Sequence, residues 1–336
     1  MLQKLNDNTN VIFKETKEKE GIESAFTFKD GDILVFKNNI HSTLFDRRDF
    51  HSKLELYSIG SLYCFCYLNE EEFVSIKREY IEFYKFLDDR TKILEIQRIN
   101  AFPSFEFHKI IKLSNNDLIN LICINLERKL QIFQKKDGKY SWSEEIKEPN
   151  KDVDEIVDLG NNEMLTKKMD NCKDQLILKV YRTTDYEKLR EHTVDLVFEG
   201  RRRIYFTLPL LKVKNKNKII GVGMFKFFIL DTIDLHIETM IKFDKHVIDL
   251  IQLNNGDLML MTLIKGNFLH DEKENDKYFF DKVKIDFDLN NMISEENMEI
   301  QDNFCSYKTL TKIGNYINNG LIVITDNSEI KIFREC

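Results

Sequence analysis

Ile248-Asp249-Leu250-Ile251-Gln252-Leu253-Asn254-Asn255-Gly256-Asp257-Leu258-Met259-Leu260 reads as an apolar run, a short polar turn and a second apolar run. Runs of this kind suit a pleated, half-buried surface, and Asn, Gly and Asp between them supply a tight bend. Weaker copies turn at Asp30-Gly31-Asp32, Asn69-Glu70-Glu71-Glu72, Ser114-Asn115-Asn116-Asp117, Gly160-Asn161-Asn162-Glu163, Asn215-Lys216-Asn217-Lys218 and Asn318-Asn319-Gly320. The turns end at residues 32, 72, 117, 163, 218, 257 and 320, so the intervals are 40, 45, 46, 55, 39 and 63. A spacing of about 40 to 50 residues with several strands per period is the signature of a β-propeller.

Within each repeat the third run alternates apolar and polar residues and ends in an aromatic, as in Ile81-Glu82-Phe83-Tyr84, Leu130-Gln131-Ile132-Phe133, Leu178-Lys179-Val180-Tyr181 and Ile330-Lys331-Ile332-Phe333. Period-two alternation places the apolar members on one face, which predicts aromatic wedges between blades. Phe45-Asp46 and Leu230-Asp231 stand where a third run ends. With its rhythm of turns, the chain resembles the WD40 family, whose blades end their third strand in an aromatic-Asp pair. Trp-Asp is absent, the single tryptophan is Trp142, and no Gly-His dipeptide precedes a first strand. The resemblance therefore implies a ring held mainly by apolar packing rather than by the family's His-Asp network.

The last repeat is one strand short after Glu329 to Phe333, and Asn10-Val11-Ile12-Phe13-Lys14 is the only early apolar run free to supply it. The expectation is an all-β, seven-bladed propeller of four-stranded antiparallel blades, closed by an N-terminal strand completing the last blade. It forms one domain over residues 1–336, with blades near 22–60, 61–101, 102–150, 151–197, 198–243, 244–302 and 303–336 joined to 1–15. Lys265 to Lys277 and Asp288 to Asp302 read as insertions, with their acidic runs as solvated tips.

With 42% hydrophobic and 12% aromatic residues, the 336-residue chain can bury an extended core. A net charge of -7 disfavours wholesale binding to nucleic acid or anionic lipid. Cys64, Cys66, Cys123, Cys172, Cys305 and Cys336 lack the dense spacing of a disulfide scaffold and read as reduced thiols. Met1 to Asn10 carry no apolar signal core, no Asn-x-Ser/Thr acceptor occurs, and the longest apolar stretch, Ile219 to Leu230, is broken by Lys226. The expected address is intracellular and cytoplasmic, without membrane insertion.

No phosphate-binding loop, nucleophile elbow or His-Glu-x-x-His sequence is present. Cys64-Phe65-Cys66 is too tightly spaced for a zinc knuckle and has no second pair. The seven histidines form no repeated cluster. No catalytic residue, metal, cofactor or small-molecule ligand is inferred. Asp32, Glu72, Asp117, Glu163 and Asp257 are acids that could converge on a channel in an enzyme, although their turn positions have a simpler use in bending the backbone. Arg201-Arg202-Arg203 followed by Tyr205 and Phe206 is the candidate protein-binding patch, since guanidinium offers paired donors in a planar fork. Lys212, Lys214, Lys216 and Lys218 read as a solvated turn. A non-catalytic interaction scaffold within a larger assembly, with other proteins as partners, is the leading expectation. A propeller enzyme and a nucleic-acid-associated subunit using the 182–218 basic stretch are the alternatives.

Overall fold

The structure is a computed structural model and describes residues 10–14, 22–28, 30–37, 41–46, 51–57, 65–76, 80–100, 106–124, 127–143, 153–170, 172–173, 175–195, 197–198, 202–203, 210–223, 226–243, 245–253, 256–264, 277–288, 291–299, 307–312, 321–325 and 329–333. All regular structure within them is β. Strand β1 is Asn10–Lys14, and β2 to β5 are Ile22–Thr27, Ile33–Lys37, His41–Phe45 and Ser52–Tyr57. Next come β6 to β9 at Phe65–Tyr67, Glu72–Ile76, Tyr80–Leu87 and Lys92–Asn100, then β10 to β13 at Glu106–Lys112, Leu118–Ile124, Glu127–Lys136 and Lys139–Ser143. Strands β14 to β17 are Glu155–Gly160, Glu163–Asp170, Gln175–Arg182 and Lys188–Asp195, and the short β18 and β19 are Val197–Phe198 and Arg202–Arg203. Strands β20 to β23 are Leu211–Lys212, Lys218–Gly223, Lys226–Asp231 and Ile237–Lys242, and β24 to β27 are His246–Gln252, Leu258–Ile264, Lys277–Asp286 and Asn291–Glu299. The chain closes with β28 to β30 at Tyr307–Lys312, Leu321–Thr325 and Glu329–Phe333.

Six blades are four-stranded sheets of consecutive strands, β2 to β5, β6 to β9, β10 to β13, β14 to β17, β20 to β23 and β24 to β27. The chain ends build a further, composite sheet in the order β1-β30-β29-β28, with Asn10 opposite Ile332 and Lys14 opposite Glu329. The expected seven-bladed propeller, its last blade completed by the N-terminal strand, is thus corrected to six blades, with the strands from the two chain ends forming a separate composite sheet. The physical reason is that the last repeat contributes only three strands of its own. The chain divides into two compact units, Met1–Val35 with Asp46–Phe50 and Ile204–Cys336, and Phe36–Phe45 with His51–Arg203.

The bends marked by Asn, Gly and Asp take one geometry. Leu113 N donates to Asp117 O at 2.9 Å and Leu253 N to Asp257 O at 2.8 Å, while Phe28 N donates to Asp32 O at 2.9 Å. The penultimate residue of each bend is left-handed: Gly31 at φ 98°, Asn116 at 69° and Gly256 at 94°. Only Gly, and at modest cost Asn, adopts that region readily. Asp137 and Gly138, both left-handed, likewise form the two-residue turn that pairs Lys136 with Lys139.

The third-strand aromatics meet the expectation of wedges. In the second unit Phe83 stacks on Tyr140 of the following blade, with centroids 4.9 Å apart and planes at 12°. Both join Cys66, Val74, Ile81, Ile110, Leu118 and Phe133 in one buried cluster. Tyr181 closes the next cluster with Ile132, Ile156 and Met164. In the first unit Val222, Phe227 and Ile229 pack with Val247, Leu260 and Val283. Burying such a side chain contributes about 1.5–3 kcal/mol, so the junctions between blades hold much of the core.

One device repeats on the fourth strands and left no mark on the sequence pattern. Lys53, Ile96, Leu189 and Glu238 are each an extra residue without a ladder partner, opposite the middle of the third strand for Ile96 and near its end for the others. A bulge of this kind re-aims a side chain. Lys53 reaches Asp89 at 3.4 Å in the next blade, and Glu238 reaches Lys218 within its own. Ile96 and Leu189 are left exposed.

Candidate interaction surfaces

Arg202 and Arg203 form β19, a hairpin strand outside the four-stranded blades, opposite Phe198 and Val197 of β18. Arg201, Tyr205 and Phe206 lie outside the described residues. Lys214 to Asn217 form the exposed turn expected of the lysine run. Three lysines of the run, Lys212, Lys216 and Lys218, are engaged, however. Lys216 pairs with Asp288 at 2.7 Å, Lys212 donates to the backbone oxygens of Val213 and Lys216, and Lys218 lies between Asp231 and Glu238. Burial pulls the Lys218 ammonium down, but hydrogen bonds and charge from Glu238 and Asp231 outweigh it and hold the group above the usual lysine value. Residues 295–299, expected in a solvated tip, belong instead to β27, with Glu295 opposite Val283 and Glu296 opposite Lys282.

Glu72, Asp117, Glu163 and Asp257 are held by donors of their own or the adjoining blade. Asn69 Nδ2 donates to Glu72 at 2.9 Å, and Lys135 lies 3.9 Å from the same carboxylate. Arg190 grips Glu163 with two bonds of 3.0 and 2.7 Å. Asp257 faces Lys282 at 3.8 Å, and Asp32 is buried at a bend where its backbone N–H donates to Asp30 Oδ1 at 3.2 Å. Asp117 accepts from the Tyr186 hydroxyl at 2.6 Å and from Asn115 Nδ2 at 2.9 Å, and Asn115 also donates to Thr183 O at 2.8 Å. Burial first, and then the Asp117 carboxylate, drive the Tyr186 hydroxyl far above its ordinary pKa, so it stays a donor.

Further buried polar groups escaped the sequence reading. Lys245 pairs with Asp281 at 2.5 Å, Thr262 donates to the same carboxylate, and the ammonium sits 4.6 Å from the Phe279 ring centroid. Glu82 accepts from Tyr84 at 2.5 Å and pairs with Arg98 at 3.0 Å. Lys167 meets Glu155 at 2.5 Å, and Asn120 donates to Gln131 at 3.1 Å. Glu82 and Gln131 carried no signal of burial, because they occupy the polar phase of Ile81-Glu82-Phe83 and Leu130-Gln131-Ile132 and are nonetheless buried. Cys66 is buried, and that burial pushes its thiol up to about 12, while Cys172 is exposed. Among the described residues no cluster of His, Cys, Asp and Glu could hold a metal ion. Among them too, no helix is long and apolar enough to cross a membrane.

Among the described residues, five of the seven exposed large apolar side chains, Tyr57, Leu94, Ile96, Trp142 and Leu189, lie on β5, β9, β13 and β17, the fourth strands of four consecutive sheets, while Ile233 lies in the turn after β22 and Ile264 at the end of β25. Tyr57 is 68% exposed, Leu94 52%, Ile96 44% and Trp142 44%.

The WD40 β-propeller domain of Doa1 superposes with a TM-score of 0.60 at 12% identity, covering 98% of this chain and 98% of that one. The Cps50 (Swd1) β-propeller domain of Myceliophteria thermophila gives 0.62 at 7% identity, covering 97% and 99%. The fold is a WD40-like β-propeller. An extracellular domain of a hybrid two-component system from B. thetaiotaomicron is also similar, at 0.57 and 13% identity over 97% of this chain and 39% of that one. No family model matches the chain, and no curated protein matches it in sequence. Phe45-Asp46 and Leu230-Asp231, on which the WD40 resemblance was drawn, do end third strands, at β4 and β22.

Proposed function

We propose that the chain is a non-catalytic interaction scaffold, an intracellular, cytoplasmic single propeller that serves as a subunit of a larger protein assembly. The observation that carries this reading is the row of exposed apolar side chains on β5, β9, β13 and β17. Exposed aromatic and aliphatic anchors on a rigid frame suit recognition by another protein. The engagement of Glu72, Asp117, Glu163 and Asp257 by neighbouring donors supports the same reading, since each has a structural use. The printed descriptions of Doa1 and Swd1 concern those proteins, and their likeness adds only that this fold is compatible with the role.

Arg201, Arg202, Arg203, Tyr205 and Phe206 are a second proposed contact, supported by the placement of Arg202 and Arg203 on a hairpin added to the repeat. Replacing the three arginines with serine should leave thermal unfolding unchanged and weaken co-purification of the partner. Undiminished recovery of the partner removes that patch from the proposal.

A further inference from the structure

The β12–β13 hairpin of the third blade carries positive charge that the described residues leave unanswered, and the inference drawn from it rests on the scaffold reading above. Lys136 and Lys139 are ladder partners flanking the Asp137-Gly138 turn, so their side chains stand on one face of the hairpin. Both are exposed, and among the described residues neither ammonium has an ion pair or a hydrogen bond. Like charges placed directly across a ladder repel and destabilise it. Lys135 adds a third ammonium on the opposite face, 5.4 Å from the Tyr140 ring centroid and 3.9 Å from Glu72. Three lysines against one aspartate leave the tip basic in a chain of net charge -7.

The corresponding turns of other blades are balanced. Asp88 pairs with Lys92 at 2.8 Å in the second blade, and Asp231 with Lys218 at 3.3 Å in the fifth. In the fourth, Arg182 meets Asp185 at 2.6 Å and Glu187 at 3.1 Å. The hairpin is also fixed at its base. Tyr140, next to Lys139, stacks on Phe83, its hydroxyl donates to Asn116 O at 3.1 Å, and Gln97 bonds both its N–H and its carbonyl oxygen. With left-handed Asp137 and Gly138 closing a two-residue turn, the backbone that bears the lysines is ordered before anything binds.

We propose that this hairpin binds an acidic segment of a partner protein, whose aspartate or glutamate side chains lie against Lys136 and Lys139. A carboxylate that meets both ammoniums turns a repulsive pair into an attractive site. The net charge of the whole chain speaks against nucleic acid as the occupant.

The full chain is titrated into a fluorescein-labelled oligoglutamate, an oligolysine of the same length and a single-stranded oligonucleotide, and anisotropy is read at low and at high salt. Oligoglutamate should bind saturably and more weakly at high salt, and oligolysine should not bind. Lys136→Gln with Lys139→Gln should not lower the thermal midpoint and should weaken oligoglutamate binding about fivefold or more. Lys242→Gln with Lys284→Gln removes the same charge from exposed, unpaired lysines of the fifth and sixth blades and should change binding little. No oligoglutamate binding, equal losses in the two double variants, or tighter binding of the oligonucleotide would overturn the proposal. Undiminished co-purification of the native partner by the hairpin variant also overturns it and leaves the scaffold reading standing. Loss of the scaffold reading would show instead as a native chain without any companion, with the titration still deciding the hairpin.

Discussion

The Tyr186 hydroxyl donates to Asp117 Oδ2 at 2.6 Å and so joins the fourth blade to the third. Tyr186 adopts φ 58°, an uncommon value for a bulky residue, and its side chain is nonetheless buried against the neighbouring turn. Asn115 completes the latch by bonding both Asp117 and Thr183 O. The sequence implied junctions held mainly by apolar packing, and this one adds a satisfied polar link.

Removing the hydroxyl in Tyr186→Phe leaves the buried Asp117 carboxylate short of a donor, which costs about 1–3 kcal/mol. Urea unfolding should show a lower midpoint with an unchanged slope. A midpoint equal to that of the native chain would mean that the latch adds nothing.

Lys245, Asp281 and Thr262 form a buried network in which loss of one charge is worse than loss of both. Lys245→Met strands the Asp281 carboxylate and should destabilise by about 3–5 kcal/mol, whereas adding Asp281→Leu should restore a large part of that. A double-mutant cycle by chemical denaturation measures the coupling. Additive effects would exclude it.

The recurring bends were legible because each demands a left-handed residue, and Gly31, Asn116 and Gly256 announce that demand in the chain. The third strands were legible because Phe83, Phe133 and Tyr181 alternate with polar neighbours and are buried accordingly. The bulges at Lys53, Ile96, Leu189 and Glu238 were not, since an extra residue in a ladder is defined by its partner strand and not by its own identity. The same holds for Tyr186 and Asp117, 69 positions apart. The exposure of Leu94, Ile96 and Trp142 escaped notice because apolar strand residues read as core until the sheet edge is known.

Burial of Cys66 makes stability fall in alkali. Its folded-state pKa is raised from 9.0 to about 12, so the unfolded chain loses this proton first and stability declines as pH rises through that window. The thiol accounts for about 1.4 kcal/mol per pH unit within it. Tyr140, also pushed up to about 12 chiefly by burial, adds to the decline. Cys66→Ala should be less stable near neutrality and should show a shallower loss above pH 9.0. Parallel stability profiles for the two proteins would contradict this assignment.

Native thiol labelling should separate Cys66 from Cys172. Exposed Cys172 should react with a maleimide under conditions that leave buried Cys66 unmodified until denaturant is added. Peptide mapping reads both sites, and early labelling of Cys66 would show that its cluster opens readily.

The scaffold reading is tested most directly by purifying the native chain gently through a tag and measuring the mass of the particle that carries it. The account predicts a stoichiometric assembly heavier than the 40.1 kDa chain, with one or more other proteins in fixed ratio. A particle of 40.1 kDa with no companion protein would contradict it.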